Sequence, residues 1–255
     1  MHLVGGGWPE NGGGAAFRAF VEEASARARE AGVLGGPRIA VVVVRDGDQL
    51  EHGAALVAEA AHAGPIDERV IALAEGETAT PGVLADSDGI LVGGGLTPAY
   101  LQGLAPLFDE IRERVSEGVP YLGFSAGAMI APERALIGGW RIGGIPVSPE
   151  EAAEELEEVT IVGGIGLIDV TVEVHTAQWG TLSRLIAATA AGLTDGGVAI
   201  DESTALIVGA GGLSVAGSGN VWRVAPAEHG VIVDVLAAAD AAPSDEVPID
   251  AAPLD

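Results

Sequence analysis

Apolar residues along this chain fall into short runs separated by stretches of helical spacing. His2 to Gly5 reads as a first strand, and Ala15 to Ala31 carries the period of an amphipathic helix. Ile39 to Val44 is a β-branched run without alternation, the pattern of a strand buried on both faces. A helix over His52 to Ala63, a short strand over Arg69 to Leu73 and another over Gly89 to Val92 follow. A helix from Thr97 to Ser116 then leads into an apolar run from Val119 to Leu122. Strands that alternate with helices pair in parallel through right-handed crossovers, which predicts an α/β fold, a three-layer sandwich with a mostly parallel central sheet.

The pattern changes after Gly138. The stretch to Gly166 holds a glycine pair (Gly143-Gly144), two prolines (Pro146, Pro149) and an acidic segment, Glu150 to Glu158, which reads as a helix with a solvated face. Thr171 to Val174 is a strand, Gly180 to Ala191 a helix and Val198 to Ile200 a short extended piece. Ala205–Val208, Leu213–Ala216, Val221–Val224 and Val231–Val235 are separated by turn residues and predict a C-terminal antiparallel meander that finishes the sheet. Residues 1–236 are expected to form a single α/β domain. Residues 237–255, rich in Ala, Pro and Asp, read as a mobile acidic tail.

Composition narrows the chemistry. An apolar content of 48% over 255 residues is enough for one sizeable core. Thirty-seven acidic residues face twelve basic ones, all arginine, for a net charge of −25. The missing lysine excludes a P-loop lysine, a Schiff base and a Ser-Lys dyad, and the acidity argues against nucleic-acid binding. No cysteine is present, so disulfides, thiolate metal sites and cysteine nucleophiles are excluded. No apolar run approaches the roughly 20 residues of a membrane span, and the N-terminus lacks the basic and apolar regions of a signal peptide. A cytoplasmic protein without metal or organic cofactor is the expectation.

One stretch carries a specific signal. Gly123-Phe124-Ser125-Ala126-Gly127 follows an apolar run and opens a small-residue segment, the strand, Gly-x-Ser-x-Gly, helix order of a nucleophile elbow. Such a turn lifts Ser125 Oγ clear of the sheet and aims the Ala126 N–H at a developing oxyanion. Among five histidines, His175 ends a predicted strand at the carboxyl edge where catalytic loops gather, and is the best base. His175 pairs with Glu202 or Asp201 in one scheme. In another, the order Ser125, Asp201, His229 follows that of α/β-hydrolases. The second oxyanion donor is sought in Val92-Gly93-Gly94-Gly95-Leu96-Thr97, whose glycines admit a ligand close to the backbone.

Four motifs occur in order: Gly93-Gly94-Gly95-x-Thr97, Gly123-x-Ser125-Ala126-Gly127-Ala128, His175-x-x-Gln178-x-Gly180-x-Leu182-x-Arg184-Leu185 and Ile200-Asp201-Glu202-x-Thr204-Ala205. With the closing Val215-x-Gly217-x-Gly219-x-Val221, they resemble the peptidase S51 family of cyanophycinases and aspartyl dipeptidases, from the first strand to about Val224. The resemblance implies a class I glutamine amidotransferase-like fold and a serine peptidase acting on a small peptide or isopeptide, of aspartyl or β-aspartyl type. By position it implies Ser125 as nucleophile, His175 as base and Glu202 as acid, with Gly94 or Gly95 and Ala126 as oxyanion donors. Thr97, Gln178 and Arg184 become candidate substrate-binding residues, Arg184 either bracing the site or meeting a substrate carboxylate. Cyanophycinases typically read acidic-Gln-His-Phe-Ser-Gln-Arg-Gly-Arg around the base. This chain has Val174, Trp179 and Thr181 in place of the glutamine and the two arginines. That loss of donors argues against a charged Asp–Arg unit as substrate. Two further readings remain, an esterase using Ser125, Asp201 and His229 and a binding protein that has lost turnover. A homodimer is the expected assembly.

Overall fold

The computed structural model describes residues 1–8, 14–209 and 211–237. Strand β1 (His2–Val4) is followed by helix α1 (Arg18–Glu30), β2 (Arg38–Val44), α2 (Gln49–Ala61), β3 (Asp67–Leu73) and β4 (Gly89–Val92). Next come α3 (Thr97–Leu104), α4 (Phe108–Ser116), β5 (Tyr121–Phe124) and a one-turn helix, α5 (Ala126–Met129). The middle of the chain holds β6 (Arg134–Gly138), β7 (Arg141–Ile142), β8 (Ile145–Pro146), β9 (Thr160–Gly163) and β10 (Thr171–Val174). Helices α6 (Thr176–Trp179) and α7 (Leu182–Ala190) precede β11 (Gly197–Ile200), β12 (Thr204–Gly209), β13 (Gly212–Gly217), β14 (Asn220–Pro226) and β15 (Val231–Ala237).

The larger sheet has the order β13-β12-β1-β5-β4-β2-β3. Its five strands from β1 to β3 run parallel, and β12 and β13 close one edge antiparallel. The lack of alternation in β2 has the predicted cause. Ile39, Val41 and Val43 pack with Phe17, Phe20 and Val21 near α1 and Leu56 of α2, whereas Ala40, Val42 and Val44 pack with Tyr100 and Leu104 of α3 and Ile111 of α4. Each such Val or Ile contributes roughly 1.5–3 kcal/mol by leaving water.

The C-terminal strands form two antiparallel hairpins, β12–β13 and β14–β15, in place of the one predicted meander, and these divide between two sheets. β12 and β13 extend the large sheet, whereas β14 and β15 join β10 and β11 in a four-stranded sheet, β10-β11-β14-β15. Two other expectations change. The helix over Thr97–Ser116 breaks at a 3₁₀ turn, Ala105–Leu107, because Pro106 lacks an N–H and its ring clashes with the preceding turn. The acidic segment is no helix. Beyond a short 3₁₀ turn, Glu150–Ala152, residues Glu154 and Glu155 adopt left-handed backbone with φ of 54° and 61°. The expected tail over residues 238–255 lies outside the described residues.

A buried ion pair ties the second sheet to this irregular region. Arg184 of α7 gives Nε and Nη2 to Glu173 of β10 at 2.7 and 2.8 Å, and Nη1 to the carbonyls of Gly139 and Ala152. Both side chains are sealed from solvent. Removing one partner strands the other charge in a low-dielectric interior. Arg184→Met is therefore expected to cost about 3–5 kcal/mol in urea unfolding. The double variant Arg184→Met, Glu173→Met should recover much of that, and equal losses in the two would refute the charge argument.

Candidate active site

Ser125 stands at the carboxyl end of β5, held in an unusual backbone state. Its φ of 52° and ψ of −111° lie outside the common regions for a residue with a side chain, a strain worth about 1–3 kcal/mol. The fold holds it there through the Ser125 N–H on the Val4 carbonyl at 2.9 Å and the Ser125 carbonyl on the N–H groups of Ala128 and Met129. A Cβ on Gly127 would come within 2.4 Å of the Val92 carbonyl, so the elbow cannot close without that glycine.

His175 follows β10, in left-handed backbone (φ 52°, ψ 36°). Its Nε2 lies 2.8 Å from Ser125 Oγ, and its Nδ1 lies 2.7 Å from Oε1 of Glu202. A carboxylate at Nδ1 holds the imidazole proton there, which leaves Nε2 to accept the Ser125 hydroxyl. Burial pushes the His175 imidazole below its ordinary value, and Glu202 opposes that shift. Trp179 lies flat on the ring, with centroids 3.9 Å apart and planes 7° apart. Its indole face shields the imidazole from water and favours a cation there.

Ser125 belongs to the large sheet, and His175 and Glu202 to the small one. The chain leaving β1 joins them. Successive carbonyls of Val4, Gly5 and Gly6 accept the N–H groups of Ser125 (2.9 Å), His175 (3.0 Å) and Ser203 (2.7 Å). The contact is too close for side chains: a Cβ on Gly6 would sit 2.2 Å from His175 Cε1, and one on Gly7 2.5 Å from Glu202 Oε2.

The family model of peptidase family S51 matches residues 69–214, more than half of the chain. The chain belongs to peptidase family S51. Two relatives called Peptidase E, from Shewanella sp. (strain W3-18-1) and Shewanella putrefaciens (strain CN-32 / ATCC BAA-453), are each 48% identical over 50 residues. That match spans 19% of this chain and only 21% of each relative. A crystal structure of a peptidase from an acI-B1 Actinobacterium superposes with a TM-score of 0.63 at 18% identity, covering 93% of both chains. This last likeness is one of fold.

The remaining S51-type candidates divide. Ala126 opens α5, so its N–H has no acceptor within the helix and is available at the elbow. Gly94 and Gly95 both line the cleft, but the Gly94 N–H already donates to Nε2 of His52 at 3.3 Å, which removes it from the oxyanion donors. Thr97 is set back from the cleft: it is fully buried, its N–H on Glu154 and its hydroxyl near Met129 Sδ. Arg184 is equally removed, enclosed by Glu173 and two carbonyls. Gln178 braces Glu202, its Oε1 accepting the Glu202 N–H at 3.0 Å. The scheme through Asp201 and His229 is not assembled. Asp201 accepts the N–H groups of Ala177, Asn220 and the Trp222 indole, and His229 lies exposed in the β14–β15 turn.

Several residues in the cleft of about 810 Å³ escaped sequence reasoning: Trp8, Arg45, His52 and Glu154. Trp8 stacks on Phe124 (5.0 Å, 27°), and His52 meets both edge-on. Glu154, expected on a solvated helix face, turns inward, and burial raises its carboxyl to about 7. Only the Gly5-Gly6-Gly7 run, directly after the first strand, carried a readable signal of close approach. Among the described residues no group of three or more His, Asp or Glu side chains is arranged to hold a metal.

Gly76 offers a control for the glycine loop, since its φ of 85° matches the 87° of Gly6 but nothing lies near its missing Cβ. Gly76→Ala and Gly6→Ala are expected to share a backbone cost of about 1–2 kcal/mol. Only Gly6→Ala should abolish the downfield Nδ1–H proton resonance of His175. An unchanged resonance in Gly6→Ala would show that the loop does not set the imidazole.

Proposed function

We propose that this S51 member is a serine hydrolase that cleaves a small peptide or isopeptide through Ser125, His175 and Glu202. The observation that carries the reading is the continuous run from Ser125 Oγ to His175 Nε2 at 2.8 Å and from His175 Nδ1 to Glu202 at 2.7 Å, within one cleft. Ser125 Oγ attacks the scissile carbonyl and its proton passes to Nε2. The carbonyl oxygen becomes an oxyanion facing the Ala126 N–H and the Gly95 side of the cleft. Collapse of that adduct expels the amine, which takes the proton from Nε2, and leaves an acyl ester on Ser125. Water, deprotonated by the same imidazole, then releases the acid and restores the serine. Glu202 holds the tautomer and stabilises the imidazolium without taking its proton.

The substrate class is the finer part of the proposal. An aspartyl or β-aspartyl group follows from the S51 resemblance. In this cleft its carboxylate would face Asp48, Glu151, Glu154, Glu155 and Glu202, with Arg45 as the one cation among the lining residues. Arg45 is itself held by Asp48 at 2.8 Å on two nitrogens. The lining therefore supports neutral or amine-bearing peptides over acidic ones.

The purified protein is expected to be labelled by a fluorophosphonate probe and Ser125→Ala to abolish labelling. Persistent labelling of that variant would move the nucleophile elsewhere. A panel of aspartyl, β-aspartyl and neutral dipeptides then ranks the substrates.

The pH dependence has a defined sign. His175 must be neutral to accept the serine proton, and burial holds it below the ordinary 6.5. The acid limb of kcat/KM should therefore fall below 6.5, with activity lost as pH drops through that limb. Glu202→Gln removes the group that raises His175, so the limb should move further to acid while the plateau drops about 10²–10⁴-fold. A limb that moves toward neutral pH would contradict the pairing.

A further inference from the structure

The Gly93–Gly95 loop is gripped from three directions. The Gly94 carbonyl accepts the Tyr100 hydroxyl at 3.0 Å from beneath and Arg45 Nη1 at 3.0 Å from the side. The Gly94 N–H, on the other flank, donates to Nε2 of His52 at 3.3 Å. Burial and the neighbouring Arg45 push His52 down to about 4, so this imidazole stays neutral and able to accept. Burial raises the Tyr100 phenol, which keeps it a donor.

These contacts fix a direction. The described chain has no cis peptide bond, and in a planar trans peptide the N–H of one residue points opposite to the carbonyl of the residue before it. With the Gly94 carbonyl turned onto Tyr100 and Arg45, the Gly95 N–H points away from both, and Gly95 itself lines the cleft. Gly94 packs directly beside the nucleophile, since a Cβ there would lie 2.8 Å from Ser125 Cβ. A small rotation of the Gly94–Gly95 peptide would swing the Gly95 N–H away from an oxyanion formed at Ser125.

We propose that His52 is a positioning residue for the oxyanion site: by accepting the Gly94 N–H it locks the loop so that Gly95, with Ala126, supplies the donors. His52 touches no reacting atom. It acts through the loop, and the inference rests on the serine-hydrolase reading above. Mispositioning of a donor by a fraction of its hydrogen-bond length removes most of its value, because such donors stabilise the transition state only when preorganised.

The test compares fluorophosphonate labelling of the wild type, His52→Phe and His52→Gln. The phenyl ring of His52→Phe keeps the packing against Trp8 and Phe124 but cannot accept a hydrogen bond, whereas the glutamine side-chain oxygen can. His52→Phe is expected to slow the maximal labelling rate about 10- to 100-fold, with the half-saturating probe concentration little changed. His52→Gln should recover most of that rate. The Nδ1–H resonance of His175 should be the same in all three, which separates a loop effect from damage to the triad. Wild-type labelling with no loss in His52→Phe overturns the positioning role alone, as does an equal loss in both variants. A wild type that resists labelling overturns the serine-hydrolase reading and this inference with it. Should His52→Phe fail to fold, His52→Leu takes its place against the same glutamine rescue.

Discussion

Everything at this site depends on one stretch of backbone, the exit from β1. Three consecutive carbonyls, those of Val4, Gly5 and Gly6, reach the N–H groups of Ser125, His175 and Ser203. Ser125 hangs from one sheet and His175 and Glu202 from another, so no single sheet sets their spacing. Ser125, His175 and Ser203 also share positive φ values of 52°, 52° and 55°. Each turn is strained, and each is held by its own N–H donating to a carbonyl of the β1 exit. Strain gathered at three turns around a reactive group is the expected mark of a site shaped for geometry more than for stability.

Charge follows a similar economy. With twelve arginines, no lysine and thirty-seven carboxylates, the protein uses key cations as internal braces. Arg184 satisfies Glu173 and two carbonyls in the interior, and Arg45 spans Asp48 and the Gly94 carbonyl. A guanidinium suits both tasks, since its planar fork serves a carboxylate and a carbonyl at once. The consequence for the cleft is a negative lining whose single arginine is already engaged. The same buried setting keeps His52 neutral, which is what lets a histidine accept a backbone N–H there.

Legibility in the sequence follows locality. β2 was readable because its burial on both faces writes itself as an unbroken β-branched run, and the elbow because its glycines are demanded within five residues. His175 was readable from its place at the end of a predicted strand, but the preference for Glu202 over Asp201 came only from the family motifs, since the meeting of the two depends on pairing between β10 and β11. The division of the C-terminal strands was hidden, because a hairpin looks the same in whichever sheet it lies. Glu154 misled for a clearer reason. A run of glutamates reads as helix by propensity, but here Arg184 takes the Ala152 carbonyl and the Thr97 N–H takes Glu154, and tertiary contacts override the local preference. His52 gave no signal, because a histidine on an amphipathic helix looks alike whether it faces solvent or a distant glycine loop.

The departures around the base also separate once their surroundings are known. Val174 is buried in the core between the sheets, and Thr181 is spent on the Val174 carbonyl at 2.6 Å. Neither changes what a substrate meets. Trp179 does, since it lies on the imidazole and lines the cleft. Of the three positions where the cyanophycinase pattern has a glutamine or an arginine and this chain does not, only Trp179 lines the cleft, and it exchanges a cation for an aromatic face. A carboxylate loses a partner by that exchange, whereas an apolar or amine-bearing group gains the indole surface, with Trp8 and Phe124 across the cleft. In the proposed reaction the same indole favours the protonated imidazole that would form at His175. This one exchange bears, in that reaction, on both the face offered to a substrate and the proton transfer at His175.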